Sequence, residues 1–591
     1  PGRVEWTFSE DGAPLYRAVL SARSATFVCF ELLNPQYERR EPVAMPAGVG
    51  AWLGAAGPLN LVTTWDTEFL PFNLSFLALA DGHEVTRIVR NPTVTAQRAG
   101  WKVGETRTGK ALDIYKADPT YSLVSQSDSE AVYVWPDPLA DKSDFYIEKR
   151  FSRVGGFSVA LSVTVFNFSA SDVTTQPQIE VHAWEAEKAT GGMFSPPPNV
   201  AEGLCVTGDS DLEREIGADL VGKTDNPPGE SRWTGVGDRY FLRAVIARGL
   251  TEARCILSAG SNGVVSATMY RANPYAVGAA QGAACHPGWY RPAEKLLRCT
   301  EVASSLGISA TELFSPSTAE KAYSQKKDSL PQLQSEETLS VLKNLGASRG
   351  AVLYQYELYL GPKDIDRLQE SGVGLEDSLD FWVLGFISKP MLYLLRWFYS
   401  LVPHWAVAIL LLTVLVKLAL LYWTQKSYAQ MQRMASLKPM MEALKEKYGK
   451  DKERLNQEMM SLYKREKVNP LGGCLPMLLQ MPIWIALYRT IYSAVDLYQA
   501  PLGLWITDLS APDPYFVLPL VLGASMFLQQ KLTPTTMDSA QAKMMLYIMP
   551  VMFTVFMLFL PSGLNLYILV NTILSLGQQY YLRKKLSPSP M

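Results

Sequence analysis

Lys417 stands inside an apolar run long enough to form a membrane-spanning helix. No fixed charge occurs from Trp397 to Val416, and the apolar run continues after the lysine to Trp423. An ammonium at that depth costs about 2.5–3.5 kcal/mol on insertion scales, so it normally faces a partner or a water-filled cavity. We expect Lys417 to be the positive centre of a wet recess open to the cytoplasm. The alternative is a side chain that snorkels to the interface.

Other polar side chains also lie within the apolar runs. Those in mid-span or at helical spacing are Thr413, Gln480, Ser525 with Gln529, and Asn571 with Ser575 and Gln578. Thr413 precedes Lys417 by one turn and shares its face. Such residues commonly join membrane helices through hydrogen bonds, and that interpretation stays open beside a role in the recess. No acidic residue occurs in any predicted span to pair with Lys417.

The elements that position these residues follow from a division of the chain. Among 591 residues, 55 Lys and Arg nearly balance 57 Asp and Glu, so net charge excludes no class of partner. Residues 1–375 are mixed and polar, whereas the remainder is strongly apolar and Met-rich. This predicts an exterior domain joined to a membrane domain. The chain begins at Pro1 without Met or an export signal, which we interpret as a shortened or processed chain.

Long apolar stretches predict an α-helical membrane core of five spans, because a span needs roughly 20 apolar residues. The predicted spans are 401–424, 469–492, 515–530, 544–561 and 562–582. Three connecting segments are basic, and the positive-inside rule makes them cytoplasmic: a helical hairpin over 425–468, a loop over 531–543 and a tail over 583–591. The loop over 493–514 has no Lys or Arg and is expected outside, as is the N-terminal domain.

Two further helical features are expected beside the spans. Residues 376–400 predict an interfacial amphipathic helix, broken near Pro390; an aromatic belt on the first span is the alternative. In the hairpin, a break at 449–451 separates two apolar stripes that are expected to pack together. The stripes are Met431, Met434, Leu437, Met441, Leu444 and Tyr448, then Leu455, Met459, Leu462 and Tyr463.

The exterior domain is expected to be all-β. Tyr146–Arg153 and Ser158–Phe168 alternate apolar and polar residues, a pattern typical of strands. Five of six cysteines lie here; their connectivity stays open, with Cys285–Cys299 as one candidate pair. His182 lies near Glu180, but the histidines form no evident catalytic or metal constellation, so a structural role is expected.

Several ordered motifs in the membrane half resemble the YidC family of membrane protein insertases. The motifs are Glu466–Pro476, Leu479–Ile483, Leu504–Ile506, Asp508–Ser510, Asp513–Tyr515, Met549–Val551 and Pro561–Leu564. The resemblance extends more weakly through Phe145–Phe166 and Leu358–Pro362, as in Gram-negative members. Those members begin with one further helix, which agrees with a shortened chain.

The resemblance implies a five-helix core around a hydrophilic groove that opens to the cytoplasm and to lipid. It places the groove charge at Lys417, where the family usually has arginine, so the guanidinium fork is lost while the charge remains. It further implies groove positions at Thr413 and Gln480, with Ser525 and Asn571 as groove candidates from their place in the spans. The implied hydrophobic slide for a substrate helix is Met481, Pro482, Trp484 and Phe556. Ile568 departs from a tyrosine common in the family.

The resemblance also implies an N-terminal periplasmic β-supersandwich and a multi-pass protein of the bacterial inner membrane. The expected function is a non-enzymatic insertase and chaperone, acting alone or with the Sec translocon. Expected partners are nascent membrane proteins, the ribosome through the hairpin and loops, and membrane lipids, without nucleic acid specificity. No cofactor or metal is expected, and no GxxxxGK[ST] motif occurs. A transporter or channel that binds substrate at Lys417 is the alternative, and a membrane-anchored carbohydrate-active enzyme is a third class.

Overall fold

The computed structural model divides into two compact units, one up to Ser378 and one from Leu379 onward. The described residues are 2–38, 57–64, 71–81, 84–86, 120–138, 145–168, 172–184, 201–208, 211–249, 252–260, 264–273, 275–278, 350–381, 384–449, 451–466, 475–533 and 544–586, with isolated positions 304, 325 and 468. Outside them lie His83, His286, Cys285 and Cys299. Most of the Glu466–Pro476 motif, namely residues 467 and 469–474, also lies outside them, as do residues 534–543 of the predicted loop over 531–543.

The first unit contains three antiparallel sheets. The four-stranded sheet has the order β1-β2-β3-β4, the nine-stranded sheet β13-β12-β15-β16-β20-β10-β9-β8-β7, and the seven-stranded sheet β14-β17-β18-β11-β5-β6 with β19 beside β11. The strands are β1 (Val4–Glu10), β2 (Ala13–Ser21), β3 (Thr26–Leu32), β4 (Leu59–Asn60), β5 (Asn73–Asp81), β6 (Glu84–Thr86), β7 (Ser122–Gln126), β8 (Glu130–Trp135), β9 (Phe145–Gly155), β10 (Ser158–Asn167), β11 (Val173–Trp184), β12 (Glu202–Thr207), β13 (Asp211–Ile216), β14 (Thr224–Asp225), β15 (Ser231–Gly237), β16 (Phe241–Ala247), β17 (Ala253–Ala259), β18 (Val264–Arg271), β19 (Tyr275–Val277) and β20 (Ala351–Pro362).

The all-β prediction for this unit is confirmed. The two alternating segments form β9 and β10, which pair antiparallel with Val163 opposite Lys149. Strand β10 also pairs with β20, so residues far apart in sequence lie side by side. Two short helices complete the unit: α1 (Gly217–Leu220) and α2 (Ile365–Glu370), the second capped by the Asp364 carboxylate.

A disulfide joins two of the sheets. Cys205 on β12 is bonded to Cys255 on β17, with 6.3 Å between the Cα atoms. Strand β12 belongs to the nine-stranded sheet and β17 to the seven-stranded one, so the bond links opposing layers. Sequence spacing left this pairing open because it does not show which strands face each other. Cys29 is a buried free thiol.

Aromatic rings and two buried cations hold the four-stranded sheet to the nine-stranded sheet. Phe27 packs edge-on against Phe151 with centroids 5.6 Å apart. Lys149 donates to the Ser24 carbonyl at 3.0 Å, and Arg243 donates through Nε to the Leu61 carbonyl. Burial lowers the pKa of Lys149 to about 7, because the charged form loses its hydration.

The second unit is helical. Its helices are α3 (Gly385–Leu401), α4 (Trp405–Ala419), α5 (Leu421–Ser436), α6 (Lys438–Tyr448), α7 (Lys452–Arg465), α8 (Leu475–Ser493), α9 (Val517–Leu532), α10 (Met549–Met557) and α11 (Ser562–Leu586), with a π-helical turn at Met544–Ile548 before α10. Helix α11 packs against α4, α5, α8 and α9. Among the described residues no single helix reaches the length and apolarity of a membrane span; α4 and α5 reach it together, but with a bend of 61° between them.

The predicted break at Pro390 is wrong. Helix α3 runs from Gly385 to Leu401 with Pro390 inside it. Pro390 is the sixth residue of the helix, so its missing N–H removes only the bond to the Phe386 carbonyl. The bond is lost near the start of the helix, where the later turns and the packing against α4 and α8 are unaffected.

The two stripes of the hairpin pack together as their spacing predicts. Leu437, Met441 and Leu462 form a buried cluster, joined at its edge by Met434, Leu444, Met459 and Tyr463. The first arm differs from the prediction because it is divided into α5 and α6 at Leu437. Pro439 explains this division, since it occupies the first turn of α6 and cannot continue an α-helical ladder.

The loop between α8 and α9 is fixed by one buried carboxylate. Asp513 is fully buried and accepts hydrogen bonds from the Trp505 indole at 2.9 Å and from the Leu518 N–H at 2.7 Å. Backbone carbonyls of the same loop accept hydrogen bonds from the Ser562 and Gly563 N–H groups at the start of α11. Ion pairs Arg396–Asp496 (2.9 Å) and Arg489–Asp380 (2.6 Å) join this end of the unit.

Candidate functional site

Lys417 is buried at the contact between α4 and α11. Its ammonium donates to the Ser575 hydroxyl at 2.6 Å, and Ser575 donates to the Asn571 carbonyl at 2.7 Å. Only 7% of Lys417 is exposed. Among the described residues no ion pair to this ammonium is present, so its charge is met by neutral oxygen alone. A buried cation without a carboxylate retains much of its desolvation cost and attracts any anion that reaches it.

Helical periodicity explains why Lys417 points inward. The buried side chains of α4 include Ile409, Thr413 and Lys417, spaced one turn apart. The Thr413 hydroxyl donates to the Ile409 carbonyl of its own helix at 2.7 Å. Thr413 therefore lines the same face as Lys417, while its proton is already used within the helix.

A second polar cluster follows Lys417 along the same interface, and sequence reasoning missed its members Thr424, Tyr428 and Gln579. Gln579 donates to the Tyr428 hydroxyl at 3.2 Å, and Gln578 donates to Thr424 at 3.0 Å. Ser575 and Gln529 also approach the Tyr428 hydroxyl. Thr424 and Tyr428 follow Lys417 by seven and eleven residues, a spacing that keeps one helical face. That spacing was the available signal, although the helix bends between Lys417 and Thr424.

The structure does not bring all predicted groove residues to Lys417. Gln480 on α8 and Ser525 on α9 are both half-buried, and the Ser525 hydroxyl donates to the Val521 carbonyl at 2.8 Å. Neither hydrogen-bonds to Lys417 among the described contacts. Asn571 meets the cluster through its backbone carbonyl, by way of Ser575. The cluster that forms is therefore built by α4, α5 and α11, with Gln529 of α9 near the Tyr428 hydroxyl.

The predicted hydrophobic slide lies on α8 and α10. Met481 is 49% exposed and Pro482 is exposed, whereas Trp484 and Phe556 are half-buried. Trp484 and Phe556 are both 6.4 Å from Phe553, centroid to centroid, so an unpredicted aromatic ring connects them. On α10, Val551, Met552 and Val555 are more than half exposed. Such an apolar patch is typical of a surface that meets lipid or an apolar partner.

A cavity of about 310 Å³ opens between α5, α9 and α11. The polar residues of its wall are Tyr428, Gln432, Lys531, Thr533, Gln579 and Tyr580. Lys417 does not line it. Tyr428 and Gln579 lie in both the cavity wall and the polar cluster, so they separate the cavity from the buried ammonium.

The exterior unit contains a buried polar row that the sequence left undecided. His182 Nδ1 lies 2.7 Å from the Ser266 hydroxyl, and His182 Nε2 lies 3.2 Å from the Glu180 carboxylate. His182 therefore contacts Glu180, which lies two residues earlier on the same face of β11. Both side chains are buried, as expected for a structural histidine. Within the described ranges no three His, Cys, Asp or Glu side chains could hold a metal ion.

Comparisons with known proteins concern the helical unit. A family model described as 60Kd inner membrane protein matches residues 397–589. A protein of Marinobacter nauticus named membrane protein insertase YidC is 54% identical over 228 residues, which cover 39% of this chain and 40% of that relative. Residues 397–589 of this chain match this inner membrane protein family, and the relatives matched are named YidC.

A second YidC relative, from Anaeromyxobacter dehalogenans, is 49% identical over 247 residues, which cover 41% of this chain and 45% of the relative. The chain thus spans less than half the length of these curated YidC relatives. A solved structure described as an active YidC insertase aligns over 98% of this chain and 95% of that chain, at 16% identity and a TM-score of 0.32. The segment matched by the family model includes Lys417, Trp484 and Phe556.

Proposed function

We propose that this protein is a membrane protein insertase and chaperone of the bacterial inner membrane. The observation that carries the proposal is a buried ammonium without a carboxylate, Lys417, in the segment that matches the inner membrane protein family. Relatives named membrane protein insertase support this choice. The chain acts by binding and guiding its client, without covalent chemistry.

The proposed topology has five membrane spans, with the exterior unit as a periplasmic β-supersandwich. Lys and Arg occur in 425–468, 531–543 and 583–591 but not in 493–514, which supports a cytoplasmic position for the first three segments. Helix α3 lies at the outer interface, where exposed Phe386 and Trp397 meet lipid. The apolar patch of α10 faces the bilayer.

The proposed mechanism uses Lys417 as an electrostatic attractant. A client segment arrives with a polar flank that must cross the membrane, and the buried ammonium draws acidic residues of that flank into the groove. Reaching Lys417 requires a client carboxylate to replace the Ser575 hydroxyl and to open the Tyr428–Gln579 contact. Thr413, Gln480, Ser525 and Asn571 complete the polar lining in this proposal.

The apolar part of the client follows a separate path. It slides along Met481, Pro482, Trp484 and Phe556 toward lipid. Burial of its apolar surface contributes about 25 cal/mol per Å², which drives release into the bilayer. The polar flank is thereby transferred outward without a bound nucleotide.

Proposed partners follow from the same topology. The basic outer faces of the hairpin bind the ribosome or anionic lipid, and the spans meet clients alone or beside the Sec translocon. The amphipathic pair α6–α7 presents these charges while its apolar stripe stays packed.

Site-specific crosslinking of stalled nascent chains tests the proposal. A photoreactive residue is placed in turn at positions 413, 480, 484 and 556, with position 154 on the exposed surface of the exterior unit as the control. Adducts to the client at the first four positions and none at the control support insertion. Solute flux through the protein, in the absence of client adducts, would instead favour a transporter or channel.

A further inference from the structure

The wall of the cavity between α5, α9 and α11 combines a cation, neutral polar groups and apolar side chains. Lys531 provides a cation, and no ion pair to it occurs among the residues described. Met431, Leu532 and Leu582 provide apolar walls beside it. A site with one cation, several neutral polar groups and an apolar side fits an amphipathic ligand that carries an anion.

The size of the cavity selects among such ligands. Its volume of about 310 Å³ lies at the lower end of the range for small-molecule sites. A helix with side chains is about 10 Å across, so even two turns of a client helix would exceed this space. The cavity therefore fits a headgroup better than a polypeptide segment.

The end of α9 adds a second electrostatic feature. Helix α9 ends at Leu532, and the last turn of a helix presents the negative end of its dipole. Thr533, the C-cap residue, lines the cavity and uses its N–H and its hydroxyl on the Gln529 carbonyl. The cavity wall thus combines a lysine ammonium with a helix terminus that attracts a cation.

The proposed topology places this cavity at the depth of lipid headgroups. Lys531 follows the third apolar run, and Leu582 directly precedes Arg583, Lys584 and Lys585. Tyr580 and Tyr581 are 69% and 62% exposed, as is typical of aromatic side chains at a membrane interface. This step rests on the proposed topology and not on insertase activity.

We propose that the cavity binds the headgroup of a zwitterionic phospholipid with a primary ammonium, that is, a phosphoethanolamine headgroup. The phosphate binds Lys531, and the headgroup ammonium lies against the C-terminal carbonyls of α9 and the Gln432 amide oxygen. The first acyl methylenes contact Met431, Leu532 and Leu582. The bound lipid would support the Tyr428–Gln579 contact from the cavity side.

Native mass spectrometry of the full chain tests this proposal. The detergent-solubilised protein is incubated with equimolar dioleoyl phosphatidylethanolamine, phosphatidylcholine and phosphatidylglycerol. Phosphatidylethanolamine is expected to be retained about tenfold over phosphatidylcholine, whose quaternary ammonium donates no hydrogen bond. Equal retention of these two lipids, or preferred retention of phosphatidylglycerol, would overturn the assignment.

Variants separate the cavity from the general basic surface. Lys531→Gln is expected to lower phosphatidylethanolamine retention about fivefold, whereas Lys531→Arg retains it. Lys438→Gln is the matched control, because Lys438 is an exposed lysine outside the cavity. Gln432→Glu is expected to raise the preference for phosphatidylethanolamine over phosphatidylglycerol, which no folding defect would produce. An equal loss in the Lys438 and Lys531 variants, or displacement of the lipid by a soluble Glu-rich peptide, contradicts the proposal.

Discussion

Lys417 on α4 and Ser575 on α11 are 158 residues apart in sequence, and a direct hydrogen bond of 2.6 Å joins their side chains. Lys417 is the only basic residue of α4, and this hydrogen bond gives its buried ammonium an acceptor. Its donor is charged and its acceptor is a neutral hydroxyl, so a stronger acceptor such as a carboxylate would displace Ser575.

Removal of the Ser575 hydroxyl should destabilise the helical unit. Ser575→Ala leaves the Lys417 ammonium without this partner, and the expected loss is about 1–3 kcal/mol. Thermal unfolding of the detergent-solubilised protein measures it. Ser525→Ala is the control, since that hydroxyl is exposed and bonds only to its own helix. Equal effects of both substitutions would show that the Lys417–Ser575 bond contributes nothing specific.

A methyl group at Gly523 should disturb the packing of α9 on α10. An added Cβ would lie against the Thr554 side chain, 3.2 Å from its Cβ. Gly523→Ala is therefore expected to cost about 1–3 kcal/mol, and Thr554→Ala in the same chain should recover part of it. The midpoint of thermal unfolding reports both changes.

Gly577 on α11 provides the matched control for Gly523. An added Cβ at Gly577 has no atom within 4 Å, so Gly577→Ala should be neutral or stabilise the helix by up to about 1 kcal/mol. Loss of stability in this variant comparable to that of Gly523→Ala would contradict the packing argument.

The Cys205–Cys255 disulfide should contribute strongly to the stability of the exterior unit. It closes a separation of 50 residues, for which the loop-entropy relation gives about 4 kcal/mol. Cys205→Ala with Cys255→Ala is expected to lower the urea midpoint of that unit, followed by near-UV circular dichroism. Peptide mapping without reductant should recover the two cysteines in one linked fragment. Recovery of Cys205 linked to any other cysteine would contradict the pairing.

Because Lys149 is buried, the free energy of unfolding of the exterior unit should increase as pH rises from about 7 toward 10. Its pKa is about 7 in the folded chain and 10.5 when unperturbed. Between these values the unfolded chain binds the proton and the folded chain does not, so the free energy of unfolding increases with pH. Below about pH 7 both states are protonated and the penalty of the buried charge is fully present.

The matching variants are Lys149→Met and Lys223→Met. The first removes the titrating group and should flatten the rise in urea stability between pH 7 and 10. The second replaces an exposed lysine and should leave the rise intact. An unchanged slope in Lys149→Met would show that another group causes the pH dependence.

The sequence predicted the elements better than the contacts between them. Alternation along Tyr146–Arg153 and Ser158–Phe168 was sufficient for strands β9 and β10, because a two-residue period is a local property. The Cys205–Cys255 bond could not be predicted, since it depends on which strands of two sheets face each other. The break at Pro390 was predicted wrongly because tertiary packing maintains α3 through a proline near its start.

The candidate site shows the same limit. The helical spacing of Thr413 and Lys417 predicted their shared buried face, which the structure has. Tyr428 was missed because the chain bends by 61° between α4 and α5, so a periodicity read along a straight helix loses its direction there. The partners of Gln480 and Ser525 likewise depend on helix packing that no local pattern contains.

Charge reversal at Lys417 tests the central claim most directly. Proteoliposomes containing the wild-type chain, Lys417→Glu or Lys417→Arg would receive two small membrane-protein clients that differ only in an acidic or a basic translocated flank. We predict that Lys417→Arg preserves insertion of the acidic-flanked client, measured by protease protection, and that Lys417→Glu lowers it at least about tenfold while improving the basic-flanked one. Insertion of both clients at wild-type levels by Lys417→Glu would contradict the account.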